Sequence, residues 1–198
     1  SDQITRLRRL IGDREGRFVN IFREPSGYAA RRPQFGMYTG RTPYPGAYPE
    51  KAQDRKLEQT LRNISFPQTQ QEQEFFRKLS HEGKLPAKAD MTAYLARLLE
   101  SIHTPDEEDA ELITRFEMQQ VCPDILITNY SMLEYMLLRP IEQGIWDSTK
   151  AWLNENAENR LLFVIDEAHM YRGSSGGEVA LLIKRLHHKL GIGREKVQ

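Results

Sequence analysis

The sequence predicts an α/β domain in which helices flank a parallel sheet. Short apolar segments with the composition of strands alternate along the chain with longer segments whose apolar residues recur at helical spacing. The run at residues 161–165 is apolar throughout and rich in branched side chains, which is typical of a strand buried on both faces. At 198 residues the chain is long enough to form one sizeable core.

Helix and strand signals follow one another from the first residues. Residues 2–11 carry apolar residues at helical spacing, which predicts a helix. The segments 17–22 and 35–38 have the short pattern of strands. An irregular loop rich in proline and glycine follows at residues 43–50.

Residues 51–118 are predicted to form a helical insertion. Asp90 is placed to cap one of its helices. Thr104 is followed by proline and then by two acids, which is a start signal for another helix extending through Phe116. We interpret those acids as favouring the helix N-terminus electrostatically, rather than as catalytic groups.

The alternation resumes after the insertion. Residues 124–130 have the pattern of a buried strand, and Ser131 begins a capping box for the helix that follows. A connecting helical segment leads to the run at 161–165, and a final helix is predicted to end at Gly191. The order of the elements predicts a parallel sheet.

Composition excludes several classes of protein. Cys122 is the single cysteine, so no internal disulfide framework is possible, and a reducing, cytoplasmic location is expected. No apolar run approaches the roughly 18 residues that span a bilayer, so no membrane partner is expected. Residues 1–62 carry 13 Lys and Arg against 7 Asp and Glu, which makes the opening third the natural place for phosphate contacts.

Two acids follow the apolar run at 161–165. In open α/β sheets, ligands bind beyond the carboxyl ends of the strands, and carboxylates there hold Mg²⁺ together with substrate phosphates. Asp166 is therefore a candidate Mg²⁺ ligand acting through a water, and Glu167 a candidate for orienting the attacking water. His169 is placed to report the nucleotide state to a neighbouring domain. The alternative is an ordinary buried strand that ends in acids.

A metal site built from Glu167, His169, His187 and His188 is a weaker alternative. Adjacent histidines on a helix point about 100° apart and do not easily face one metal. A phosphate-binding G-x-x-x-x-G-K-[ST] loop is absent from the 198 residues, because Lys84 is the only lysine after a glycine and lacks the upstream glycine. Either the Mg²⁺ interpretation is wrong, or that loop precedes residue 1.

Four ordered stretches resemble the motifs of superfamily 2 helicases. Residues 165–169, Ile-Asp-Glu-Ala-His, match the DEAH form of motif II. Residues 2–7 resemble the tail of motif Ia, residues 38–43 resemble motif Ib, and residues 128–133 resemble the following nucleic-acid-contacting motif. The sequences of these four stretches most resemble those of bacterial DEAD/DEAH helicases of the Lhr-like and YprA-like type. Some of these helicases belong to antiviral defence systems.

The resemblance implies a RecA-like P-loop NTPase fold, with residues 1–198 forming part of the first motor domain, from motif Ia to just past motif II. It implies ATP and Mg²⁺ as cofactors, bound through Asp166 and Glu167, with His169 beside them. It also implies phosphate contacts along a nucleic-acid strand, from Gln3, Arg6, Thr39, Gly40, Thr128 and Asn129. The role of Arg41 stays open, because relatives often have an acid there.

The function that follows is an ATP-dependent helicase or translocase acting on DNA rather than RNA. Its expected partners are a second RecA-like domain of the same chain and proteins of a defence system. The fragment alone is expected to be inactive, because the Walker A loop is missing from it. The alternative is a non-catalytic nucleic-acid-binding or scaffold module derived from a helicase domain.

Overall fold

A three-stranded parallel sheet flanked by helices confirms the predicted α/β class. This computed structural model describes residues 2–12, 32–48 and 54–198, apart from the side chains of 174 and 175. The strand predicted at 17–22 lies outside these residues. The chain divides into two compact units, Ser1–Ile127 and Thr128–Gln198.

The first unit alternates helices with short strands. In chain order its elements are α1 (Asp2–Ile11), β1 (Phe35–Tyr38), α2 (Arg55–Ser65), α3 (Gln70–His81), α4 (Met91–Leu99), β2 (Glu111–Leu112), α5 (Arg115–Gln120) and β3 (Ile125–Thr128), whose last residue begins the second unit. The strand order is β2-β1-β3. Phe35 lies opposite Glu111 and Gly36 opposite Leu112 in the parallel register of β1 and β2. The carboxyl ends of β1 and β2 therefore share one edge of the sheet.

Two apolar clusters among the described residues hold these elements together. The predicted helix α1 packs on the sheet through Ile4 and Ile11, which contact Phe35 and Ala110. The second cluster joins α2, α4, α5 and the loop after β1; its buried members are Tyr44, Leu61, Tyr94, Leu95, Leu98 and Phe116. Asp90 caps α4 as predicted, since its carboxylate accepts the amides of Thr92 and Ala93.

The helix predicted to start at Thr104 is wrong. The segment instead contains β2, and α5 begins only after Thr114, whose hydroxyl accepts the Glu117 amide at 3.1 Å. Asp109 is fully buried and accepts the Ala89 amide at 2.8 Å. Strand pairing and these distant hydrogen bonds outweigh the local start signal. The range predicted as a helical insertion thus also supplies a strand of the sheet.

The second unit consists of helices and short 3-10 turns around one extended segment. Its helices are α6 (Tyr130–Leu138), α7 (Gln143–Glu155) and α8 (Ser174–Leu190), and its turns are Pro140–Glu142, Ala168–Met170 and Arg194–Lys196. Helix α8 ends at Gly191 as predicted, with a φ of +64° that favours glycine. The helices within the described residues all fall short of the length and hydrophobicity that a bilayer crossing requires.

The prediction of a doubly buried strand at 161–165 is wrong. Leu161 forms only an isolated parallel bridge, to Val197. Leu162 and Val164 are 69% and 76% exposed, while Leu161, Phe163 and Ile165 are half-buried. The segment is extended and covered on one face. An apolar run indicates that a strand can be buried on both faces. It does not show that the same unit supplies a second layer of structure to cover the other face.

Candidate functional site

The Asp-Glu-Ala-His sequence forms a tight turn directly after the extended segment of the second unit. The Asp166 carboxylate accepts the Glu167 amide at 3.0 Å, and Met170 donates its amide to the Glu167 carbonyl at 2.8 Å. Glu167 has a φ of +52°, in the left-handed region that non-glycine residues rarely adopt. Strained backbone of this kind is concentrated at functional sites, so the conformation of Glu167 supports a functional role for the turn.

Two of the predicted catalytic residues meet in this turn. His169 Nδ1 lies 3.3 Å from Glu167 Oε2, and the two side chains are 64% and 70% exposed. The pair is an ion pair only when the imidazole is protonated. Because both groups are solvated, the contact orients the side chains more than it stabilises the unit. The glutamate is thus held next to an imidazole with its carboxylate open to solvent.

The donor set of the turn fits Mg²⁺ held with a nucleotide. A hard cation of this kind is usually bound through one or two carboxylates, with waters and substrate phosphates completing the octahedron. Asp166 and Glu167 are exposed carboxylates at the end of an extended segment. No group of three or more metal-ligating side chains occurs in the part of the chain that the structure describes. The alternative site with His187 and His188 therefore gains no support.

The Thr39–Gly40 candidates of the first unit lie in a hydrogen-bonded turn at the carboxyl end of β1. The Thr42 hydroxyl donates to the Met37 carbonyl at 2.6 Å and accepts the Thr39 amide at 2.9 Å. The Thr39 hydroxyl accepts the Arg41 amide at 3.3 Å. Gly40 is exposed, and a Cβ added there would meet nothing within 4 Å. The turn therefore presents Gly40 and Arg41 outward on a fixed backbone.

Gln3 and Arg6 lie on the solvent side of α1. Both are exposed, whereas Ile4 and Ile11 on the opposite side contact the sheet. A shallow open groove runs from this helix to the end of α3 and its following turn; it is lined by Asp2, Thr5, Arg6, Arg9, His81, Glu82 and Lys84. Arg6 is thus accessible, next to residues from the predicted insertion.

Thr128 and Asn129 stand at the end of β3 and the start of α6, in the second unit with Asp166 and Glu167. Asn129 is the N-cap of α6 and accepts the Met132 amide at 2.8 Å, so the cap predicted at Ser131 is displaced by two residues. Its side-chain oxygen is used locally, which leaves the amide nitrogen as the group suited to an anion.

Arg115 is a feature of the first unit that the sequence did not reveal. It is 3% exposed, and its Nη2 donates to the Thr39 carbonyl at 2.8 Å across 76 residues of sequence. Its backbone amide donates to the Pro43 carbonyl at 3.1 Å. The capping box from Thr114 to Glu117 was the signal that places Arg115 at a helix start. Its contact with the turn could not be inferred, because only the folded chain brings them together.

Aromatic side chains support the segment that follows this turn. Tyr44 has a φ of +58° and is buried, with its ring stacked on Phe116 at 5.0 Å. His103 packs edge-on against both rings, at 4.8 Å from Tyr44 and 4.9 Å from Phe116. Burial lowers the pKa of His103, although the nearby Glu117 carboxylate acts in the opposite direction. The segment that follows the turn is therefore held by a packed aromatic cluster.

Comparison with known proteins gives one informative similarity. The chain is 41% identical over 229 residues to Druantia protein DruE of Escherichia coli (strain UMEA 4076-1). The match takes in 100% of this chain and spans 12% of the length of that protein. No protein-family model matches the chain, and no solved structure matches it.

Proposed function

We propose that this chain is part of the first RecA-like domain of an ATP-dependent DNA helicase or translocase of superfamily 2. The observation that carries the proposal is the turn after residue 165, where Asp166 and Glu167 are exposed and the backbone is strained at Glu167. The three-stranded parallel sheet supports it, since RecA-like domains are built on such sheets. The ordered resemblance to helicase motifs gives the turn its chemical meaning.

The turn residues have distinct roles in this proposal. Asp166 holds Mg²⁺ through a water, and Glu167 orients and polarises the water that attacks the terminal phosphate. His169, 3.3 Å from the Glu167 carboxylate, is placed to relay a change at that carboxylate to a neighbouring RecA-like domain. When bound, Mg-ATP supplies the phosphoanhydride bond whose hydrolysis drives movement along the strand.

The remaining candidates contact the nucleic-acid backbone. Gly40 offers an accessible backbone amide, and Asn129 an exposed side-chain amide. Gln3, Arg6, Thr39 and Thr128 complete this set. Contacts of these types bind phosphates and fix the position of a strand without reading its sequence.

The similarity to DruE supports a place in a bacterial defence system, with other proteins of that system as partners. The activity, substrates and partners of the whole protein are part of the proposal, because the matched region is 12% of DruE. The alternative, a non-catalytic nucleic-acid-binding module, predicts strand binding that ATP does not change.

The decisive experiment is the substitution Glu167→Gln in the full-length protein. We expect nucleotide affinity to stay within about threefold, while steady-state ATP hydrolysis falls by about 100-fold, the usual contribution of a positioned general base. Glu158→Gln is the matched control, because Glu158 is an exposed glutamate away from the turn. Unchanged hydrolysis in the Glu167 variant would refute the assigned role.

A further inference from the structure

Arg115 is a buried guanidinium without an acidic partner among the residues that the structure describes. It is 3% exposed, its Nε has no hydrogen-bond partner, and it forms no ion pair within the described residues. Buried charges are almost always paired, because desolvating a lone charge is costly. The buried Lys88 side chain of this unit pairs with Asp109 at 3.2 Å, and the half-buried Arg8 pairs with Glu111 at 2.6 Å. Arg32, which is also buried, donates to the Ile11 and Glu108 carbonyls.

The nearest acid in sequence does not compensate Arg115. Glu117 gives one carboxylate oxygen to Lys88, and the other accepts the Tyr94 hydroxyl at 3.1 Å and the Thr114 hydroxyl at 3.0 Å. Both carboxylate oxygens of Glu117 are therefore already occupied by other groups. The positive charge of Arg115 remains available to a group at the turn.

The contacts of Arg115 direct it toward the turn after β1. Nη2 donates to the Thr39 carbonyl at 2.8 Å, and the guanidinium lies 5.1 Å from the centroid of the Tyr38 ring. Holding the Thr39 carbonyl inward fixes the peptide that carries the Gly40 amide. That amide has no hydrogen-bond partner among the described residues, and the exposed Arg41 side chain forms no ion pair with them. The turn combines two guanidinium groups and an open amide.

We propose that Arg115 is a positioning residue for a single phosphate bound at the Thr39–Thr42 turn. It holds the Thr39 peptide so that the Gly40 amide faces outward, and its buried charge favours an anion directly above the turn. Arg41 supplies the outer contact to the same phosphate. The inference deepens the proposed function and rests on it: the ligand is a phosphodiester of a nucleic-acid backbone.

The test measures binding of the full-length protein to fluorescent oligo-dT at several salt concentrations. Arg115→Gln should weaken binding about tenfold and lower the slope of log K against log salt by about 0.7, the value for one lost single-strand phosphate contact. Arg115→Lys, which keeps the charge, should retain the slope and lose about threefold. Arg62→Gln removes an exposed charge on α2 and should change neither quantity.

A double-mutant cycle separates positioning of one phosphate from independent effects. If Arg41 and Arg115 act on the same phosphate, combining Arg41→Gln with Arg115→Gln costs clearly less than the product of the single losses. Should the glutamine variant fail to fold in a melting experiment, Arg115→Lys carries the cycle instead. Independent, multiplicative losses overturn the inference.

The remaining outcomes are also decisive. An Arg115→Gln protein that binds with unchanged affinity and slope overturns the inference and leaves the proposed function standing. Equal losses for the lysine and glutamine variants, with the wild-type salt slope in both, would assign Arg115 a purely structural role. Wild-type protein that binds no oligonucleotide would refute the proposed function, and the inference with it.

Discussion

His103 is a buried histidine whose two ring nitrogens have no hydrogen-bond partner within the described residues. Burial lowers its pKa, with partial opposition from the Glu117 carboxylate, so folding disfavours the charged form of the imidazole. In the unfolded chain the same group titrates near its ordinary value of about 6.5. Between the folded and the unfolded pKa the unfolded state binds more protons, so stability rises with pH in that window.

We therefore expect the free energy of unfolding to fall as pH is lowered through about 6.5, and to level off below the folded pKa. His103→Phe keeps an aromatic ring and removes the titration, so its stability should depend less on pH. The measurement is urea denaturation at a series of pH values, with His81→Gln as an exposed-histidine control. If His103→Phe retains the wild-type pH dependence, another group is responsible.

Lys88 connects two elements of the first unit from a fully buried position. Its ammonium contacts Asp109, before β2, at 3.2 Å, and it also pairs with Glu117 on α5. It lies 4.2 Å from the centroid of the Tyr94 ring on α4. The buried Lys88 side chain therefore connects the segment after α3 to the residue before β2 and to α5. Its removal would leave the buried Glu117 carboxylate without its cation, and Asp109 with only the Arg97 guanidinium at 3.7 Å.

Lys88→Met should lower the free energy of unfolding by about 3 to 5 kcal/mol, the range for breaking a buried ion pair from one side. Lys84→Met is the control, since Lys84 is 53% exposed and solvent screens its contact with Glu82, so the substitution should have little effect on stability. Denaturant unfolding of both variants provides the comparison. Equal effects would mean that the buried network contributes little.

Elements specified by neighbouring residues were predictable, and those specified by distant ones were not. Helix α1, strand β1, the Asp90 cap and the end of α8 at Gly191 follow from spacing and capping chemistry that a few residues carry. The start signal at Thr104 is equally local, yet β2 forms there because it pairs with β1. Local propensity is a weak prior when strand pairing competes with it.

At the scale of the whole molecule, the candidate site likewise has parts that the sequence could identify and parts that it could not. The residues themselves could be selected from motif and order, and the strained turn at Glu167 gives that choice a physical correlate. The contact of Arg115 with the Thr39 turn could not be predicted, because Arg115 lies 76 residues away in sequence. The prediction that residues 161–165 are buried on both faces is also wrong, because a pattern of side chains does not show whether the same unit covers one face of a strand or both.

For the intact protein we expect single-stranded DNA to stimulate ATP hydrolysis, and to do so equally for oligo-dT and mixed sequences of the same length. The reason is that the proposed contacts reach phosphates and not base edges. Thr128→Ala should weaken this stimulation for every sequence tested. Hydrolysis that no nucleic acid stimulates would point to an ATPase unrelated to helicases, and a sequence-selective loss would contradict the backbone contacts.

The strand β2 has a consequence for anyone who shortens this chain. Residues 51–118 resemble a removable insertion, yet their second half supplies an edge strand and the arginine under the Thr39 turn. A deletion would have to stop before Lys88, whose ammonium is bound to that half. Helix α3, none of whose residues is buried, is the part open to trimming or to fusion of a reporter domain, whereas α2 contributes Leu61 to the second apolar cluster. The boundary between the part of residues 51–118 that the fold requires and the part that can be changed therefore lies inside this range and not at its ends.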